Sequence, residues 1–519
     1  MARVKLSRIC EVLVAGAGPG GLVAAITLAR YGIDVALIDK RSTPSGLSRS
    51  LVVSTRGMEL MRRFGLEAAV RSGAADVKIR AWVTPDLASG QGTEMPLGNP
   101  SDAEAAMASP TRPAWVAQDY HEPVMFGHLR GLPTARIRLG CQLLGVTQDD
   151  SGVRATVAGA GTGAVEHVCA SYLIAADGAH STVREQLGIA MLGPDDLADY
   201  ERVEFTAPLW PLAGEHRYAL YLITRPGAAG VLAPRGPGDR WSLSREVPAG
   251  SRGLASLGQD DLTGLIQRAA GSSRFQPQIE RLSAFTFAAQ LAERYAQGRC
   301  FLVGDAAHRA TPRGGTGMNT AIQDSFDLGW KLAWVLRGWA SPQLLASYER
   351  ERRPIAAHNV QRSSEPAGAR RETDEALAWD LGGRLPHHWL AGDQERSTVD
   401  LIGDGLTLLA GPSDPRWLRF ARYFKPNVPL NVHVIDARTS EALGLQPTGA
   451  LLARPDGREL GRWTSADTAI ATAESSVLPA VLTETLASTT LTRASTQEGS
   501  SHDREWTAAC RHRLGRWAL

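Results

Sequence analysis

Cysteine is scarce in this 519-residue chain: Cys10, Cys141, Cys169, Cys300 and Cys510 are odd in number and scattered. None stands in a C-x-x-C spacing, which removes the usual zinc and dithiol frameworks. The pattern reads as reduced thiols of a cytoplasmic protein. Also missing is any apolar run near the roughly 20 residues that span a bilayer. The N-terminus passes from Arg3, Lys5 and Arg8 directly into a short apolar strand closed by glycines, without the apolar stretch of a signal peptide. Neither membrane insertion nor export is expected. An excess of one charge is lacking too, because 56 basic and 54 acidic residues leave a formal +2. That balance argues against a general nucleic-acid or membrane-surface binder and leaves small molecules as the expected partners.

What is present is an ordinary globular composition, 43% apolar and 21% charged. The length exceeds what one hydrophobic core supports, so two or three packed units are expected. Val12 to Ala15 reads as a buried strand, Leu22 to Tyr31 as an Ala-rich helix ended by Gly32, and Val35 to Ile38 as a second strand. Another helix is expected around Ser54 to Phe64. Arg136 to Leu139 and Val153 to Val157 alternate like antiparallel strands with a turn at Gly159 to Gly163. Strand-like segments between about 200 and 290 suggest a mixed sheet. The strand Cys300 to Val303 precedes a long helix from about Gly315 to Leu336. The stretch from about 357 to 380 reads as an exposed helix or linker, and Ser488 to Ser501 as a surface loop.

Two glycine-rich segments carry the chemistry. In the first, Gly16-Ala17-Gly18-Pro19-Gly20-Gly21 lies between a strand and a helix. Gly16 permits the tight turn, Gly18 lets backbone approach a pyrophosphate, and Gly21 allows close helix packing. Asp39, at the end of the second strand, suits ribose hydroxyls. This motif alone does not separate FAD from NAD. The separation comes from Gly304-Asp305-Ala306-Ala307-His308, then Pro312, Arg313 and Gly314-Gly315-Thr316-Gly317-Met318-Asn319. Asp305 at a strand end suits a polyol hydroxyl, and glycines opening a helix expose N–H groups to an incoming ring edge. A reduced flavin, negative near N1 and its C2 carbonyl, would be stabilised there by the helix N-terminus.

With these motifs the sequence resembles the class A flavoprotein monooxygenases, the group of 4-hydroxybenzoate hydroxylase and the aromatic polyketide hydroxylases. Asp177 to Arg184 is similar to the family's D-G-x-x-S-x-V-R element beside the flavin. Gln118 with Glu122 and Pro123 resembles its Q-x-x-x-E-P segment, whose glutamine contacts FAD. Ser347 to Pro354 matches S-Y-x-x-E-R-R-P. The closest likeness is to the larger actinomycete hydroxylases of polyketide and indolocarbazole tailoring, which carry a C-terminal thioredoxin-like domain. Arg384 to His387, Ser397 to Leu401 and Arg454 to Gly457 resemble its landmarks, without C-x-x-C and so without an expected redox role. Lys40 stands where many members have Arg, Ser48-Arg49 replaces a common Pro-Arg, and Arg313 interrupts the glycine segment.

The resemblance implies an α/β fold: a Rossmann-like FAD-binding domain (1–75, 110–190 and 290–365), an inserted mixed-sheet substrate domain (76–109 and 191–289) and a thioredoxin-like domain (384–519). It implies tightly bound FAD held by Gly16, Gly18, Pro19, Gly20, Gly21, Asp39, Lys40, Arg49, Gln118, Asp177, Asp305, Pro312, Gly315, Gly317, Met318 and Asn319, with no metal. It further implies transient NADPH or NADH, O2, a flavin C4a-hydroperoxide, hydroxylation of an aromatic, polycyclic polyketide-like substrate, and a monomer or homodimer. The sequence identifies no catalytic base; His308 and Arg313 are the candidates, His308 reading more readily as a packed or hydrogen-bonded residue. Among Phe205, Tyr218, Tyr221 and Trp241, at least one is expected to line the pocket. A Baeyer-Villiger or epoxidising oxygenase shares the scaffold, and an accessory flavoprotein without turnover is a further alternative. A flavin halogenase would show W-x-W-x-I-P, and none of the thirteen tryptophans sits in one.

Overall fold

A computed structural model describes residues 6–159, 164–423 and 427–469. Most of the Gly159–Gly163 turn, the Ser488–Ser501 loop and Cys510 lie outside the described residues. The first sheet runs, edge to edge, Ala296–Gln297, Cys300–Leu302, Val165–Ala175, Leu6–Ala15, Val35–Asp39 and Ala135–Leu139, with Cys141–Asp149 and Gly152–Gly159 folded on as an antiparallel extension. Its central strands are parallel and covered on both faces, so Val12, Leu13 and Val14 are fully buried. The helix Pro19–Arg30 crosses over between Leu6–Ala15 and Val35–Asp39, with proline in its first turn, where a missing N–H costs nothing.

One strand departs from expectation. Ala135–Leu139 is not part of an antiparallel pair but lies parallel to Val35–Asp39, reached through the helix Gln118–Arg130. Alternation reports which side chains share a face and says nothing about strand direction. The segment read as exposed helix or linker is helical on both sides of a short turn. Ala346–Ser364 buries Val360 and Ser363, while Thr373–Leu381 buries none of its residues fully.

The second sheet has seven strands in the order Gln278–Phe287, Ala198–Thr206, Arg240–Glu246, Gly230–Pro234, Tyr218–Ile223, Lys78–Thr84 and Thr93–Pro96. It is mixed, because Lys78–Thr84 runs parallel to Tyr218–Ile223. One face buries Val203, Phe205, Tyr221, Trp241 and Leu243 against Leu262, Leu265 and Ile266 of the helix Gln259–Ala270. The other face turns toward the first sheet, where Trp115 Nε1 donates to Pro234 O at 2.8 Å and Val52 packs with Ala219 and Ala233.

A third, four-stranded sheet places Leu430–Val434, Leu406–Ala410, Ala450–Ala453 and Glu459–Trp463 side by side. The first two are parallel and the others antiparallel, which is the thioredoxin-like order. It docks on the helices that cover the first sheet through Tyr31 Oη and Trp334 Nε1, which both donate to Asp404 O, at 2.7 and 3.1 Å. Among the described residues, no helix is long and apolar enough to cross a membrane.

Candidate active site

The glycine turn between Leu6–Ala15 and Pro19–Arg30 is fixed by close approach. Gly16 has φ of 108°, and a Cβ there would overlap the Ala176 carbonyl; a Cβ on Gly21 would overlap the Gly16 carbonyl. Gly18 differs, because a Cβ there meets no protein atom within 4 Å. The chain therefore has no packing reason for glycine at 18, whereas an arriving phosphate does. Asp39 closes the turn by accepting Ala17 N–H at 2.7 Å, and Arg41 donates to it from its backbone N (2.8 Å), Nε (3.0 Å) and Nη2 (3.0 Å). Burial pushes the Asp39 carboxyl up, but these donors more than offset it and hold it below the ordinary range. Lys40 is exposed, so the cation at this acid is Arg41, two positions on, which the sequence reading passed over.

Arg41 also faces Glu122 at 3.8 Å. Glu122 is fully buried and accepts Gln118 Nε2–H and Ser45 N–H, both at 3.0 Å. Gln118 thus sits at the start of its helix with its amide turned to Glu122. Arg49 is exposed, and its guanidinium has no hydrogen-bonding partner among the described residues.

On the opposite strand end, Asp177 accepts Val183 N–H at 3.2 Å through Oδ2, while its buried Oδ1 has no partner. Burial raises this carboxyl despite the neighbouring donors. Arg184 Nη1 ties the same turn to the second glycine segment, donating to Ala179 O at 3.0 Å and Ala306 O at 3.4 Å. Asp305 stands exposed beside Ala306, and Pro312 is exposed further on. Gly315 has φ of 62°, and Gly317 opens the helix Gly317–Leu336 with Met318 half-buried. Asn319 pins this opening: its Oδ1 accepts Ser54 N–H at 2.9 Å, and its Nδ2 donates to Val52 O (3.1 Å) and Gly315 O (2.9 Å). The two glycine segments converge because their helices touch; a Cβ on Gly20 would reach Ser325 Oγ at 3.2 Å and Ala321 Cβ at 3.6 Å.

His308 and Arg313 have separate settings. His308 is buried, with Nε2 2.7 Å from Asp324 Oδ2, while Asp324 Oδ1 accepts Arg352 Nε–H at 2.7 Å. This is an internal His–Asp–Arg chain. Arg313 lies over the Phe287 ring at 5.4 Å and donates through Nη1 to Ser364 O (3.3 Å) and Glu365 O (3.4 Å). Phe205, Tyr221 and Trp241 are fully buried, and Tyr218 nearly so, in the core behind the seven-stranded sheet. The aromatics on the face toward the glycine segment are Tyr200, Phe285 and Phe287, whose stacked rings have centroids 4.2 to 5.9 Å apart. The i, i+2 spacing of Phe285 and Phe287 within one strand was the available signal.

Two converging helix N-termini, open space beside Gly18, a ribose-type acid at Asp39 and a carboxylate oxygen of Asp177 unpartnered among the described residues fit an elongated dinucleotide with a polyol. That donor set defines a flavoprotein. Residues 9–363 match the family described as FAD binding domain, and residues 379–488 match the aromatic-ring hydroxylase C-terminal family. The chain is 33% identical to tetracenomycin A2 monooxygenase-dioxygenase of Streptomyces glaucescens over 86% of its own length and 92% of the relative's. Among solved structures, the flavin-dependent monooxygenase PieE with FAD and substrate has a TM-score of 0.82 at 25% identity, covering 93% of this chain and 100% of PieE. Aklavinone-11 hydroxylase with FAD and aklavinone has 0.79 at 29% identity, covering 91% and 99%. The chain belongs to the FAD-dependent aromatic-ring monooxygenases.

Proposed function

We propose that this protein hydroxylates a multi-ring, polyketide-like aromatic, using NADH or NADPH and O2. The observation that carries this reading is the wall of Tyr200, Phe285 and Phe287 facing the glycine segment, with Arg313 of that segment laid over Phe287. A planar ring system stacked there lies beside the residues that would hold the flavin ring. The named activities of the relatives, on tetracenomycin and aklavinone, are of the same chemical class.

Bound FAD supplies hydride acceptance and oxygen transfer, chemistry that side chains lack. The protein contributes position and environment. Gly18 and the N-terminus of Pro19–Arg30 would receive the pyrophosphate, Asp39 the adenosine ribose, Asp305 the polyol, and the opening of Gly317–Leu336 the ring edge. Asp177 would hold a hydroxyl or amide at its free oxygen. The apolar and aromatic walls keep water from the reacting atoms. His308 is committed to Asp324, so its part is to hold the helix entrance rather than to move a substrate proton. The four described cysteines are free, which supports a reducing compartment such as the cytoplasm.

The test is the absorbance spectrum of purified protein, then NADH and NADPH oxidation with a panel of polycyclic phenols. A yellow protein whose NAD(P)H consumption rises with one phenol, with one labelled oxygen atom in a hydroxylated product, is the expected result. A colourless protein that FAD does not reconstitute overturns it, and insertion of oxygen between two carbons points to the Baeyer-Villiger outcome instead.

A further inference from the structure

The wall that faces the glycine segment carries two arginines with an unusual property. Arg235, on the same sheet, is neutralised by Asp119, Glu204 and Glu280, each at 3.1 Å. Among the described residues, neither Arg202 nor Arg313 has a carboxylate within 4 Å; their recorded acceptors are uncharged oxygens. Arg202 donates from Nε to Ser244 Oγ at 3.1 Å and from Nη1 to Ser48 O, leaving Nη2 without an acceptor among the described residues. Its guanidinium lies 5.1 Å from the Phe285 ring centroid, as that of Arg313 lies 5.4 Å from Phe287. Tyr200 packs against both phenylalanine rings, its hydroxyl donating to Glu246 Oε2 at 3.2 Å with the Arg313 guanidinium beside the same hydroxyl. Burial, together with the neighbouring Arg235 guanidinium, lowers the proton affinity of Arg202 in spite of Glu204.

An enclosed cation without a counter-ion carries a desolvation cost that a ligand anion removes. Here the donors stand at the edge of an aromatic platform, so the anion would arrive attached to a flat ring. The geometry points to Arg202 and Arg313 as the specificity-determining residues that select a planar polycyclic substrate bearing an oxyanion, carboxylate or phenolate, stacked on Tyr200, Phe285 and Phe287. This rests on the monooxygenase reading and adds the charge of its substrate.

The experiment titrates the FAD-loaded enzyme with anthraquinone-2-carboxylate, 2-hydroxyanthraquinone and neutral anthraquinone-2-carboxamide, following the flavin absorbance and fluorescence. A charge-assisted pair predicts that the carboxylate, or the phenol once ionised, binds at least about tenfold tighter than the carboxamide. Whichever anion shows the preference identifies the group that is read. In R202M and R313M the preference falls to within about twofold while carboxamide affinity is retained. R313M lies in a loop segment and serves if R202M fails to retain flavin. Equal binding of charged and neutral probes, an anion preference that persists in R313M, or no flavin perturbation by either anion overturns the inference. The monooxygenase reading is judged separately, by flavin content and NAD(P)H oxidation.

Discussion

Replacing Arg454 with methionine tests how the thioredoxin-like sheet is held to the flavin domain. Arg454 is fully buried and donates to both carboxylate oxygens of Glu351, at 2.9 and 2.7 Å, while also binding Asp456. Glu351 belongs to the helix Ala346–Ser364 and is shared with Lys331 of the long flavin-side helix at 3.2 Å. Lys331 in turn holds Asp327 at 2.7 Å, and the Trp330 ring lies beneath Arg454 at 5.3 Å. Three carboxylates and the cations Lys331, Arg454 and Arg458 therefore form one enclosed network across the boundary. Methionine preserves much of the volume but leaves Glu351 and Asp456 short of their main cation, which costs about 3–5 kcal/mol. Because the chain has several units, the loss should appear in calorimetry as an earlier transition of the C-terminal unit and in faster proteolysis there. Burial raises the Glu351 carboxyl, but Lys331 and Arg454 outweigh it and hold it at about 2, against an ordinary 4.5. Its contribution is thus fully present above about 4.5 and is lost as pH falls toward about 2. Asp327 acts in the opposite sense, raised by burial and by Glu351 despite Lys331. In R454M the Glu351 carboxyl rises, so acid destabilisation begins at higher pH than in the parent. A change below about 1 kcal/mol, with the acid limb unmoved, would refute the reasoning.

Gly18→Ala should leave folding and secondary structure intact while weakening FAD by about tenfold or more, read by flavin fluorescence. Gly16→Ala, at φ of 108° and against the Ala176 carbonyl, should instead lower the yield of folded protein. Asp177→Asn should stabilise the flavin-free protein near neutral pH. The raised native carboxyl binds its proton more tightly than the unfolded chain does, so parent stability falls as pH rises above the ordinary carboxylate range. Thermal melts of flavin-free protein across pH check this, and a parent curve without that fall would contradict it. His308→Phe should cost about 3 kcal/mol by breaking the pair with Asp324 while leaving the pH profile of kcat in shape; a lost limb of that profile would assign His308 to proton transfer.

The glycine segments proposed to hold the flavin were legible because their requirements are written in backbone geometry. Gly16 and Gly21 are glycine since a Cβ has no room, and Asp39 ends its strand where Ala17 N–H points. Such demands leave residue types at fixed spacing, visible without coordinates. Arg41 was missed because the positions after Asp39 belong to a turn, and nothing in the sequence shows that position 41 bends back to the acid while position 40 faces solvent. The thioredoxin-like order behind Arg454 was legible only through resemblance, since no motif spacing encodes which strand lies between which.

The substrate wall was hidden for a different reason. Strand periodicity marks two faces of Ala198–Thr206, Val203 with Phe205 on one and Tyr200 with Arg202 on the other, but gives no account of which face is covered by a helix and which meets the flavin domain. The aromatic-rich segments drew attention to Tyr221 and Trp241, and these proved to be the face packed on Gln259–Ala270. Core packing concentrates aromatics more strongly than ligand binding does, so aromatic content ranks the wrong face first. The discriminating signal is polar instead: Arg202 lies two residues from Tyr200 on the same face, and a cation without an acid partner beside an aromatic has no purpose in a core. The face proposed to recognise the substrate is therefore marked by a charge without an acid partner among rings, a relation that exists only after the strands have been brought into register.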